Sequence, residues 1–181
     1  SSDLFRCVLI HMNIHPIFVH FPIAFLNLYA FFEVVRIKSW QQSAWIKPLK
    51  TIVVIIGVVF AYVSLSTGEA AEHLLSDGRI QALVEKHSFF ADVTTYLFLV
   101  PAVAYLFECI TSSSFSAKIP SVLLRVMNWY ATKIAITPVR IICAVLGTVA
   151  VFIVGALGGA IVYGPATDPV VWFVYNLFFS F

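Results

Sequence analysis

The chain has 181 residues, 61% of them hydrophobic and 11% charged, a formal net charge of +2 and a mean hydropathy of +0.96. A soluble domain is nearer half apolar and a quarter charged, so this chain has too little polar surface to coat a globule and reads as a membrane protein. That excludes a soluble enzyme, a secreted disulfide scaffold and a disordered linker; long apolar runs broken by short polar stretches favour spanning helices over a barrel, whose strands would alternate.

Residues 1–14 read as an N-terminal extension, with Met12 a candidate native start and the residues before it extraneous. No charged, apolar and small-residue signal pattern is present there, so the first span is expected to direct insertion itself. Four segments approach the roughly 20 apolar residues that a spanning helix needs: about 16–36, 49–67, 88–110 and 138–163. Pro16 and Pro138 suit first helical positions, where the missing N–H would be unpaired anyway. Residues 112–116 read as a polar turn, and 119–136 as a helix lying in the inner interface with Trp129 and Tyr130 at headgroup depth. The apolar and aromatic stretch 169–181 is too short to cross and reads as an outer interfacial or re-entrant segment. The expected fold is all-α, a single domain over 15–181 forming an integral membrane antiparallel four-helix bundle with an inner interfacial helix.

Charge sets the expected orientation. Arg36, Lys38, Lys47 and Lys50 flank the first connection and Lys118, Arg125, Lys133 and Arg140 the third, against only Arg6, Arg79 and Lys86 at the other end. By the positive-inside rule the basic connections are cytoplasmic in a bacterial inner (plasma) membrane, with both termini outside. All five histidines, His11, His15, His20, His73 and His87, then fall at the outer end. So do Asp3, Glu69, Glu72, Asp77, Glu85, Asp92 and Asp168, while Glu33 and Glu108 lie inside. The chemistry is therefore expected at the outer face.

Helical spacing puts His20, Ala24 and Asn27 in one stripe, expected to face the bundle because lipid offers such groups no partner. Gly57, Ala61, Ser64 and Gly68 line one face of the second span, and Gly155 and Gly159 one face of the fourth; such faces admit another helix or a flat ligand. His20, His73, His87 and Tyr163 are expected at similar depth. The three cysteines, Cys7, Cys109 and Cys143, are widely spaced and form no C-x-x-C or C-x-x-C-H, which excludes covalent c-type haem attachment. No basic tract points to nucleic acid, and no nucleophile with its base, phosphate loop or paired carboxylates points to a hydrolase or transferase.

The stretch from His15 through His20 to Ile23 resembles the opening signature of a bacterial membrane family catalogued as domain of unknown function 2231. Thr67 to Glu72, Glu85 to His87, and Gly155 to Gly164 are also similar to that family. The resemblance implies four helices in one domain and, from relatives fused to cytochrome c-like domains, a redox setting. It carries over onto His15, His20, Gly68, Glu69, His87, Gly158 and Gly159. Many relatives have an acid after the third-span histidine, where this chain has Ser88.

Three accounts of the histidines follow. The first is a b-type haem held by His20 and His87, with His73 as substitute ligand, Ala24, Gly68, Gly158 and Gly159 leaving room for the macrocycle, and Arg79 or Lys86 pairing with propionates. Single electrons would then pass to or from a quinol or a cytochrome c. The second is an iron, zinc or copper site drawn from His15, His20, Glu69, Glu72, His73 and His87. The third is an accessory subunit of a respiratory complex, oligomeric or not, in which His20 bonds to Asp92 or Glu69 merely to lock helix register.

Overall fold

The computed structural model describes residues 15–72 and 80–179, except the side chains of Ala71 and Glu72. His73, Arg79 and the N-terminal extension, with His11 and Met12, lie outside the described residues. Among those described, all regular structure is helical: α1 (His15–Val34), α2 (Lys38–Gln41), α3 (Ile46–Glu72), α4 (Gln81–Ser112), a 3₁₀ turn (Ser114–Lys118), α5 (Ser121–Trp129), a π turn (Tyr130–Ile134), α6 (Thr137–Tyr163) and α7 (Pro169–Phe179). Helices α1, α3, α4 and α6 are long and apolar enough to cross a bilayer. The third helix starts at Gln81 rather than 88, so His87 lies inside it and not at its mouth.

The four long helices form a ring in which α1 packs on α3, α3 on α4, α4 on α6, and α6 back on α1. Neighbours run antiparallel: the start of α1 meets the end of α3, and the start of α4 meets the end of α6. Pro22, Leu26, Tyr29 and Glu33 form the buried side of α1. Leu26, Val54, Val58, Phe98, Ala144 and Val151 build the apolar middle of the bundle. The outside is apolar as well: Ile52, Val59, Leu146 and Phe152 are each more than half exposed, which is untenable in water and suits contact with lipid. Aromatic rings gather at both ends, with Phe31, Phe32, Trp40 and Trp45 touching at one and exposed Tyr163, Trp172 and Phe173 at the other. Such belts mark the two bilayer interfaces.

The expected interfacial helix is α5 continued by the π turn. Arg125, Trp129 and Lys133 stay exposed, while Met127, Ala131 and Ala135 are buried. Tyr130 is half-buried and donates its hydroxyl to the Val100 carbonyl at 3.2 Å, tying the segment to α4. At the opposite end Gly164, with φ of 89°, turns the chain out of α6, a conformation that glycine adopts without penalty. Asp168 Oδ1 then accepts the N–H groups of Val170 and Val171, capping α7, which begins at Pro169. Val171 and Val174 seat α7 against Leu83, Leu157 and Ala160, so the C-terminal segment is a short helix packed on the ends of α4 and α6.

Candidate functional site

Two polar layers interrupt this apolar bundle, and each draws on all four long helices. At the first, His15 opens α1 and lies beside Thr67 and Gly68 near the end of α3, while His87 in α4 reaches Val154 and Gly158 in α6. The Thr67 hydroxyl donates its one proton back to the Val63 and Ser64 carbonyls, at 3.0 and 3.1 Å. Its oxygen can therefore only accept from His15 Nδ1, 3.2 Å away. His87 Nδ1 donates to the Val154 carbonyl at 3.0 Å. In His87 Nδ1 therefore carries a proton, and in the neutral imidazole the lone pair is on Nε2; His15 is bonded to the Ser64 backbone as well as to Thr67.

The glycines explain how this fits. A side chain in a helix leans toward its N-terminus, over the carbonyl four residues back. Gly158 follows Val154 by four, so that carbonyl stays open to His87; a Cβ at 158 would lie 3.2 Å from His87 Cε1. Gly68 follows Ser64 in the same way, and a Cβ there would lie 3.2 Å from His15 Cε1. Each imidazole fills a notch in a neighbouring helix, and the two meet across the bundle diagonal with centroids 6.5 Å apart and planes at 83°. Ser64 Oγ is buried beside them with no hydrogen-bond partner among the described residues. Gly158→Ala is expected to lower the unfolding temperature in detergent, because His87 is bonded in place and cannot retreat. Gly155→Ala, which would meet nothing within 4 Å, is expected to leave it unchanged or raise it through helix propensity.

The second layer lies at the basic end. Glu33, 2% exposed, accepts from Lys50 Nζ at 3.0 Å and from the Tyr105 hydroxyl at 2.8 Å, both on Oε2. Arg140 lies over the Tyr105 ring, its Cζ 4.6 Å from the centroid, and bonds to Glu108. Lys47 pairs with the other oxygen of Glu108 at 2.8 Å. Arg140 Nε also donates to the Ala135 carbonyl at 2.6 Å, satisfying an acceptor that the end of the π turn leaves open. The Tyr29 hydroxyl is buried next to this cluster without a partner among the described residues.

Several sequence expectations need correction. His20, expected to face the bundle and to pair with His87, is exposed on the outside of α1, its Nδ1 bonded to the Pro16 carbonyl one turn back at 2.6 Å. Ala24 is exposed beside it, and Asn27 donates to the Ile23 carbonyl at 2.7 Å. Both polar groups of the stripe satisfy a proton locally, so nothing draws that face inward. His87 meets His15 instead. Gly68 and Gly158 seat imidazoles, Gly159 faces Val171 of α7, and Glu69 and Asp92 are exposed. His73 and the Glu72 side chain lie outside the described residues. Among the described residues no three histidine, cysteine or carboxylate groups gather as metal ligands. The expectation of chemistry at one face only missed Glu33, Lys50, Glu108 and Arg140. Their signal was present as acids in the last turns of the first and third spans, facing bases in the first turns of the second and fourth.

No family model, curated protein or solved structure matches this chain.

Proposed function

We propose that this is an electron-transferring protein of the bacterial inner membrane that holds a b-type haem between His15 and His87 near the outer face, as a member of the family that its signatures resemble. The observation that carries the reading is the spacing of the two imidazoles. His15 and His87, from diagonally opposite helices, bring their ring centroids to 6.5 Å, so the two imidazoles would hold one group shared between them. The donor set also fits. An imidazole whose Nδ1–H is held by an oxygen of the protein, as His87 is by Val154, presents Nε2 in fixed orientation and with raised basicity. Two protein ligands suffice where a porphyrin supplies four more nitrogens, whereas a bare zinc site draws on three or four.

Bound there, a haem supplies one-electron exchange between ferric and ferrous iron. The chain's own part is to hold the rings: Val154 fixes the tautomer of His87, Thr67 and Ser64 hold His15, the notches at Gly68 and Gly158 fix ring height, and the apolar middle excludes water. Exposed Lys86, next to His87, would supply a cation for a propionate. The positive-inside distribution supports an outer position for the site and a quinol or a cytochrome c as redox partner.

Reduced-minus-oxidised spectra of protein purified in mild detergent test the proposal. A b-type spectrum in the wild type that is lost in His15→Ala and in His87→Ala, and kept in His20→Ala, is the expected result. Loss that follows His20 alone, or a colourless protein carrying stoichiometric iron, zinc or copper by elemental analysis, overturns it. A colourless, metal-free protein that co-purifies with a respiratory complex overturns it in favour of an accessory subunit.

A further inference from the structure

Polar groups in spanning helices face other protein, because hydrocarbon offers them no hydrogen bond. The outer side of α1 breaks that expectation, with exposed His20 and Ala24 and half-buried Asn27 along one line. His20 has one ring nitrogen committed to Pro16, and Asn27 one N–H committed to Ile23. The other ring nitrogen, the Asn27 carbonyl oxygen and its second N–H have no partner among the described residues. Helix α1 is also the least buried of the four spanning helices.

We infer that the outer face of α1, centred on His20, Ala24 and Asn27, is the interface between two parallel copies of this chain. In a two-fold pair a residue near the axis meets its own counterpart. A carboxamide is complementary to itself under that symmetry: the free N–H of Asn27 donates to the carbonyl oxygen of its counterpart and accepts the same bond in return. Ala24, one turn away, lets the backbones approach, as small residues do where membrane helices cross. His20, a further turn along, meets its counterpart near the membrane boundary. A second copy thus satisfies the Asn27 carboxamide in full, while His20 Nε2, an acceptor once Nδ1 donates to Pro16, lies near the membrane boundary within reach of water. The inference stands apart from the haem reading and holds whether or not a cofactor is bound.

Light scattering of the detergent-purified full chain is expected to give a protein mass of twice 20.1 kDa. Asn27→Leu, which replaces the amide by a residue that lipid accepts, is expected to raise the dimer dissociation constant about ten-fold or more with unchanged helical content. In a background with Cys7, Cys109 and Cys143 replaced by alanine, Ala24→Cys is expected to cross-link on mild oxidation and Phe152→Cys, on the exposed side of α6, is not. A monomeric wild type, an Asn27→Leu dimer of unchanged affinity, equal cross-linking at both positions, or a different protein seated on α1 overturns the inference.

Discussion

Glu33→Leu is expected to cost about 3–5 kcal/mol of stability, because it leaves the Lys50 ammonium without its anion inside a bundle where water cannot replace it. Lys50 is 4% exposed and Glu33 is its ion-pair partner. Lys50→Met is expected to cost a similar amount by stranding the carboxylate. The double variant is expected to be far less damaged than the sum of the two, since apolar residues that fill the same volume often replace a buried ion pair at little cost. What remains is the Tyr105 hydroxyl, which loses its acceptor and accounts for about 1–3 kcal/mol. Equilibrium unfolding in mixed micelles, followed by tryptophan fluorescence, reads all three. Additive costs would mean that the two charges do not support one another.

The second large effect is steric. Gly147→Ala is expected to destabilise by about 1–3 kcal/mol, the usual range for overfilling a packed core. A Cβ there would lie 2.5 Å from Phe98 Cε2 and 2.8 Å from Cζ, and Phe98 is fully buried. The ring has no solvent to move into, because Tyr29 packs edge-on against its other side. Phe98→Leu is expected to relieve the clash, so that the pair loses less than the two single variants together; the interaction energy from a double-mutant cycle is the measurement. Unaltered stability of Gly147→Ala would mean that α4 and α6 are free to separate at this level.

The spans were legible because about 20 successive apolar residues leave few other options, and each lies within a few residues of its helix except at the start of α4. There Gln81, Glu85 and Lys86 made the first turns look like loop, although a helix that emerges from the bilayer carries such residues without penalty. Gly68, Gly158 and His87 stand out in the sequence through the family resemblance, the glycines also as room for a macrocycle; that Gly68 abuts His15 and Gly158 abuts His87 could not be read there, because the partners lie on different helices. The facing of α1 was not legible either. That helix is apolar nearly all round, so periodicity shows that His20, Ala24 and Asn27 share a line but not that the line points outward. What decides it is the opposite line, Pro22, Leu26, Tyr29 and Glu33. Glu33 needs Lys50 and Tyr105, which only the bundle provides, whereas His20 and Asn27 each find a carbonyl on their own helix. The strongest demand sets the rotation, and it became visible only with the partner helices in place.

Along α1 the histidine layer and the charge layer are separated by about 27 Å of helix rise, close to the full hydrocarbon thickness of a bilayer. At both levels each of the four helices contributes a bonded group. A piston stroke of any one helix past its neighbours would have to break a bond of one of the two histidine pairs at one end and an ionic contact at the other in the same movement. The bundle is in that respect stapled as two helix pairs at one end and hooped by a network through all four helices only at the other. Motions left to it are those that keep the helices in axial register, such as slight splaying of the apolar middle.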